Sequence, residues 1–289
     1  MPATETCAPI STTGPKRRQR RGVMLFFAAL LAVASASGAH AETLKVGGTG
    51  AALGTMQLLG NAFTRHHPTI KIEVLPYIGS TGAIKGINAG SLDLGLSGRT
   101  AKPAEQTLDA RLQRYAMTPL VIATHPENPL RAIKPAELAA IYSGQLTRWN
   151  DGGLIRIILR PAQETDNEVL RSISPAISQG VDSALARPGM RFAATDQDAA
   201  DMIERVPGAI GTATLALILS EKRPLRILAL DGVMPSLETL KSGRYAFNKP
   251  LFLVTRLKPK PAVQSFVDFI QSPRGQAILM ANGQLPMSP

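Results

Sequence analysis

The sequence predicts a two-domain α/β protein, and three observations carry that expectation. Short apolar strands run into loops of Gly, Ser, Thr and Arg that open helices, around residues 48–55, 79–82 and 160–167. Two segments punctuated by Pro and Asn, His125–Pro129 and Asn248–Pro250, fit crossings between domains better than turns inside a sheet. The last forty residues read as amphipathic helices that rejoin the first domain. The expected boundaries are residues 42–124 with 247–289 for one domain and 125–246 for the other.

Residues 1–41 read as a cleavable export signal. Lys16-Arg17-Arg18-Gln19-Arg20-Arg21 is a basic n-region, Val23 to Ala34 is an apolar core too short to span a bilayer, and Ala39-His40-Ala41 fits the small-x-small cleavage rule. The only cysteine, Cys7, leaves with this segment and none stands at the cleavage point, which points to a free periplasmic protein without a lipid anchor, disulfide or thiol chemistry. Taking 41 of 289 residues away leaves 248, enough for one large or two medium domains. The 32 basic and 21 acidic residues fall to 27 and 20, a net charge of +7 that suits capture of an anion. Nucleic acid is discounted as a partner, since no dense Lys/Arg run follows residue 41 and aromatics for base stacking are few.

In the first domain Leu44–Gly48 alternates like a strand end, and the loop Gly48–Thr55 leads into a helix with Met56, Leu59, Ala62 and Phe63 on its apolar face. That loop is neither a P-loop nor a dinucleotide fingerprint, because no Lys-Ser/Thr follows its last glycine and the glycine spacing is wrong. Ile70–Leu75 alternates apolar and charged residues as a half-exposed strand does. Gly79-Ser80-Thr81-Gly82 opens a helix carrying Lys85, Leu92–Leu96 is a short buried strand, and the chain leaves it through Ser97-Gly98-Arg99. Thr100–Arg111 reads as a polar helical connection and Tyr115–Ala123 as an apolar strand.

In the second domain Lys134–Tyr142 is a helix burying Leu138, Ile141 and Tyr142, Trp149 is a packing residue, and Leu154–Leu159 is a strand that runs into Arg160. Thr165 or Asp166 is the expected N-cap of the next helix. Val169–Glu204 reads as two or three helices with a short strand near Met190–Ala194, and Pro207–Gly211 returns the chain tightly to a strand at Leu225–Leu230. After the second crossing come Leu251–Val254 and two helices, one presenting Val263, Phe266, Val267 and Ile270, the other Ala277, Ile278 and Ala281.

The chemistry concentrates in the three strand-to-helix loops. A helix start presents unpaired N–H groups and a partial positive charge, glycines let those donors crowd together, and Ser80 and Thr81 add hydroxyls. Arg160 is able to grip an oxyanion through two N–H groups at once, or to pair with Glu164 or Asp166 nearby. A single Gly-Ser-Thr-Gly is an ordinary turn; three such loops make an anion site.

The series Gly48-Thr49-Gly50, Gly79-Ser80-Thr81-Gly82-Ala83-Ile84-Lys85, Asp93-Leu94-Gly95 with Ser97 and Arg99, Ile141-Tyr142-Ser143-Gly144 with Trp149, the Arg160-ended strand and Pro207–Gly211 resembles the periplasmic phosphate-binding proteins of ABC importers. The match runs over nearly the whole mature chain. It implies a type II periplasmic binding protein fold, two Rossmann-like α/β domains joined by two crossing strands with the ligand in the cleft. It further implies a non-enzymatic, monomeric protein without cofactor or metal that collects phosphate or a similar tetrahedral oxyanion for a membrane permease of an ABC transporter. Carried over by position, the ligand contacts fall on Thr49, Gly50 and Ala51, on Ser80 with Thr81 and Gly82, and on Arg160.

Two departures stand out. Where the family places an aspartate that accepts a proton of the ligand, this chain has Gly98 followed by Arg99; where it places a Ser-Gly-Thr triplet, this chain has Glu164-Thr165-Asp166. Arg99, Glu164 and Thr165 therefore join the candidate site. A carboxylate within ~4–6 Å of a bound anion repels it unless it accepts the ligand's proton or pairs with an arginine. These changes motivate a second reading, a sensory or scaffolding protein of the same fold whose ligand is changed or lost and which signals to a membrane partner. A phosphate-ester hydrolase fits least, for His66, His67 and His125 form no metal-ligand pair and no activated nucleophile is evident.

Overall fold

The computed structural model describes residues 2–11, 14, 41–106 and 109–287. Residues 41–289 form one compact unit. Of the export signal expected over residues 1–41, the basic n-region, apolar core and cleavage motif lie, but for Ala41, outside the described residues.

The first half of the unit runs β1 (Glu42–Gly48), α1 (Gly50–Thr64), β2 (Ile70–Val74), α2 (Gly79–Ala89), β3 (Leu94–Ser97), a single 3-10 turn at Pro103–Glu105 and β4 (Ala110–Thr124). Then follow β5 (Ala132–Ile133), α3 (Pro135–Ser143), β6 (Arg156–Leu159), α4 (Thr165–Ile173), α5 (Pro175–Ala186), β7 (Arg191–Phe192), α6 (Asp196–Arg205), β8 (Ala209–Thr214) and α7 (Leu215–Ser220). The chain closes with β9 (Arg226–Ile227), β10 (Ala229–Leu230), α8 (Leu237–Lys241), β11 (Asn248–Arg256), α9 (Pro261–Gln271), α10 (Pro273–Ala281) and β12 (Leu285–Pro286).

The main sheet has the order β2-β1-β3-β11-β4-β8-β6-β7. Parallel pairs flank two antiparallel strands, β4 and β11, that join two α/β lobes. Strand β4, about 50 Å long at ~3.3 Å per residue, pairs with β11 up to Pro119 and with β8 from Leu120 onward. Pro119 has no N–H to give a ladder and stands where the partners change. His125–Pro129 is a turn closing β4, in which the Asn128 N–H reaches the His125 carbonyl at 3.0 Å and the Asn128 side chain accepts the Leu130 N–H at 2.9 Å. The crossing itself lies within β4.

Each lobe has its own apolar core. In the first, Leu44 and Val46 of β1 and Met56, Leu59 and Phe63 of α1 meet Leu251 and Leu253 of β11 and Phe266 and Ile270 of α9. Each such side chain, fully buried, contributes roughly 1.5–3 kcal/mol. In the second, Ile122, Leu138, Tyr142, Leu159, Ile177 and Ile210 pack together. Trp149 packs against this core and donates its indole N–H to the Gly208 carbonyl at 3.2 Å. Asp93, one of the resemblance's motif residues, fastens the first lobe: it accepts the Lys45 N–H at 2.9 Å and the Lys260 ammonium at 2.8 Å.

Several elements differ from the sequence expectation. Among the described residues the connection after Thr100 is helical only at the 3-10 turn, and β4 begins already at Ala110. Between Pro207 and Leu225 stand a fully buried central strand, β8, and the helix α7, where the sequence reads as a tight return. Leu225–Leu230 forms two short bridges with different partners, β9 on β4 and β10 on β5, and not one strand. In α10 the buried residues are Gly275 and Leu279, while Ala277 and Ala281 face solvent, because the Ser272 cap turns the helix to bring Gly275 against the carbonyls of Phe269 and Ile270.

Candidate functional site

Helix N-termini in this molecule divide into two kinds. Helices α5, α6, α7, α8 and α10 are capped by Ser174, Thr195, Thr214, Ser236 and Ser272, whose side chains accept a first-turn N–H, and α3 and α9 begin with proline. Helices α1, α2 and α4 have neither a side-chain cap nor an early proline. Their first-turn donors have no side-chain acceptor. These three starts meet at one cavity of about 210 Å³, lined by Thr49, Tyr77, Gly79, Ser80, Thr81, Glu164 and Thr165 together with Arg99, Lys102, Gln163 and Lys249.

On the first-lobe side Gly79, at φ +69°, lets the chain turn into α2 where a side chain would be strained. The Ser80 hydroxyl accepts the Gly98 N–H at 2.9 Å and ties two of the predicted loops together. Arg99 does not point its charge into the cavity unopposed. Its guanidinium clasps Glu105 with two bonds of 2.6 and 2.7 Å and touches the Thr81 hydroxyl at 2.7 Å, while Thr81 itself donates to Glu105 at 3.1 Å. The Arg99 hydrogen bonds, with those from the Lys102 N–H and Thr81, lower the Glu105 carboxyl to about 2 against a partial opposing effect of burial.

On the second-lobe side Arg160 directly follows β6, with its side chain 1 % exposed. One of its N–H groups donates to the Ala193 carbonyl at 2.8 Å. Its Nε and Nη2 find no hydrogen-bond acceptor, although Nη2 lies 3.4 Å from Glu164 and 3.8 Å from Asp196. The N-cap of α4 is Glu164, not Thr165 or Asp166, because Asp166 is drawn into the core to Lys249 and Asn167 donates back to the carbonyls of Arg160 and Pro161 at 3.2 and 2.8 Å.

Lys249, on the crossing strand β11, completes the back wall. Its ammonium donates to Asp166 at 2.6 Å and Asp196 at 3.2 Å, and Asp166 also accepts the Thr212 hydroxyl at 3.2 Å. Burial, the largest single effect, pushes the Asp166 carboxyl up, but the charges of Lys249 and Arg160 with the hydrogen bonds from Lys249 and Thr212 together outweigh it and hold the group below its ordinary value. Burial likewise lowers the Lys249 ammonium, and Asp166 with Asp196 more than reverse that. The group thus holds two cations, Arg160 and Lys249, against three carboxylates, Glu164, Asp166 and Asp196.

The lobes touch at this level. Gly50 sits against α6, where a Cβ would fall 2.4 Å from the Gln197 amide oxygen, and its carbonyl accepts the Gln197 N–H at 3.1 Å. The Tyr77 hydroxyl reaches Glu164 at 3.4 Å, and its own ionisation is pushed up by burial and by that carboxylate. Of the candidate residues, Thr49, Ser80, Thr81, Arg99, Glu164 and Thr165 line the cavity, whereas Gly50, Gly82 and Arg160 are not among its lining residues and Ala51 belongs to the first core. Sequence reasoning passed over Lys249, Asp196, Tyr77 and Glu105. For Lys249 a signal existed: in β11 it shares the buried alternation of Leu251 and Leu253, a place where a lysine needs acids around it.

The model of the PBP superfamily domain matches residues 33–274. The phosphate-binding protein PstS of Bacillus subtilis (strain 168) is 22 % identical over 301 residues, which covers 94 % of this chain and 95 % of that protein. A phosphate-binding protein PstS 2 of Streptococcus agalactiae is 34 % identical over 86 residues, and there the match spans only 28 % of that protein and 29 % of this chain. Among solved structures, a putative phosphate ABC transporter substrate-binding protein with bound phosphate from Clostridium perfringens superposes with a TM-score of 0.73 at 20 % identity, over 86 % of this chain and 100 % of that one. That likeness establishes the fold, two α/β lobes joined by crossing strands.

Proposed function

The chain belongs to the PBP superfamily, and we propose that it is a periplasmic solute-binding protein that takes phosphate, or a similar tetrahedral oxyanion, into the cleft and delivers it to an ABC importer. The observation that carries this reading is the convergence of three uncapped helix starts on one cavity, with Arg160 buried beside it and two of its guanidinium nitrogens without a hydrogen-bond acceptor. The names of its PstS relatives and of the phosphate-bound structural neighbour support the ligand class.

In this reading the first-turn N–H groups from Gly50, Ala51 and Gly82, the hydroxyls of Thr49, Ser80, Thr81 and Thr165 and the Arg160 guanidinium surround the anion, and Arg99 stiffens Thr81. The two lobes on either side of the changeover within β4 act as the closing domains of a monomer, and a membrane permease receives the ligand. Capture and release need no reaction. Calorimetric titration of the ligand-stripped protein with phosphate, sulfate, arsenate, molybdate and tungstate tests it: selective phosphate binding is expected, and a protein that binds none of the five abandons the reading.

One observation favours the second reading, a sensory or scaffolding protein. Both cations of the back wall are already matched by carboxylates of the protein itself. Retained capture of a membrane partner alongside no oxyanion binding is the outcome that makes it the better account.

A further inference from the structure

Arg160, with its side chain 1 % exposed, has Nε and Nη2 without a hydrogen-bond acceptor. Buried donors left open in this way are costly, so something complements them in the working protein. Two carboxylates lie within 4 Å of Nη2, Glu164 at 3.4 Å and Asp196 at 3.8 Å. Asp166 nearby has both oxygens engaged, by Lys249 and Thr212, while Asp196 is anchored through one oxygen by Lys249 and its other oxygen, which faces Nη2, makes no hydrogen bond. Of these, Glu164 alone combines long contacts with access to the cavity. It lines the cavity, its side chain is 23 % exposed, and its two contacts, to Arg160 and to Tyr77, are both 3.4 Å long.

We propose that Glu164 is an internal competitor for the anion seat. Its carboxylate stands opposite the open side of Arg160 in place of a bound oxyanion, and a ligand enters by displacing it toward the cavity mouth. This rests on the oxyanion reading above and adds what sets the affinity. Two anions cannot share one guanidinium face without repulsion, so the measured affinity is that of an exchange and not of a vacant site. The residue sits as N-cap of α4, where a neutral donor would add to the helix start and a carboxylate subtracts from it as far as an incoming anion is concerned.

The test is calorimetric titration of inorganic phosphate into the purified, ligand-stripped protein, with thermal unfolding of every variant as the check on folding. Glu164→Gln keeps the shape and an acceptor for Tyr77 but loses the charge, and it is expected to bind phosphate about tenfold or more tightly than the parent. Glu164→Asp, which withdraws the carboxylate by one methylene, is expected to shift the same way by less. In Glu164→Ala, acetate is expected to compete with phosphate by refilling the vacated position, and not to do so in the parent. Unchanged or weaker binding by Glu164→Gln and Glu164→Asp, with the parent still binding, overturns the competitor and leaves the oxyanion reading standing. No binding by the folded parent and all three folded variants removes both.

Discussion

Arg99 and Arg160 both close strands beside the cleft, and the sequence offers both as anion contacts, yet the structure treats them in opposite ways. Arg99 spends its fork on Glu105, six residues along the chain, in two bonds of 2.6 and 2.7 Å. Arg160 is the more deeply buried and the less satisfied, with one good bond to the Ala193 carbonyl and two open nitrogens. A cation near a cleft is therefore not the same as a cation available to a ligand. Lys249 makes the difference, because it engages Asp166 and one oxygen of Asp196, whose other oxygen stands 3.8 Å from Arg160.

The largest expected effect breaks that arrangement at its centre. Lys249→Met leaves two aspartates buried without their cation and is expected to destabilise the fold by about 3–5 kcal/mol, the usual cost of orphaning a buried charge. Urea unfolding of the variant beside the parent measures it, and a loss under about 1 kcal/mol would show that Asp166 and Asp196 find other partners. Next in size is ligand binding. Arg160→Met is expected to weaken phosphate binding about a hundredfold, roughly 2.7 kcal/mol, while Arg99→Met weakens it by no more than a few-fold. Equal losses in the two variants would erase the distinction between the arginines.

Most of the framework was legible because it rests on local patterns. The alternation in Leu44–Gly48 and Ile70–Leu75, and the 3–4 spacing of Met56, Leu59 and Phe63, report directly which face is buried. Strand β8 was hidden because Ala209-Ile210-Gly211-Thr212-Ala213-Thr214 is buried on both faces and so small that it shows neither alternation nor an apolar run. The three loops were legible as strand-to-helix turns from the strands that run into them and their small and polar residues. Their charge balance was not, since Lys249 and Asp166 lie 83 residues apart and meet only through the fold. The Arg99 and Glu105 pair was closer to reach, and it was missed because reading Thr100–Arg111 as a helix gives Glu105 no defined direction.

The surface pair yields a smaller, pH-dependent effect. Glu105 in the folded protein titrates at about 2, below its ordinary 4.5, so its contribution is full above pH 4.5 and is lost as pH falls toward 2. Screening by solvent limits that contribution to about 1 kcal/mol. Unfolding of the parent and Glu105→Gln at pH 7 and pH 3 separates them: the stability gap is expected at pH 7 and to narrow at pH 3. A gap that stays constant with pH would mean that the shape of the side chain matters and its charge does not.

The smallest effect contrasts the two kinds of helix start. Ser174 caps α5 by accepting the Ile177 N–H at 3.2 Å, so Ser174→Ala is expected to cost about 0.5–1 kcal/mol of stability and to leave phosphate affinity alone. Thr49 precedes α1 without any capping bond, so Thr49→Val is expected to change stability by less than about 0.5 kcal/mol and to weaken phosphate binding instead. Thermal unfolding and calorimetry on the same two proteins read both quantities. If Thr49→Val loses stability as a cap would and binds phosphate unchanged, the bare start of α1 is a feature of packing and the cavity is assembled from two helices, not three.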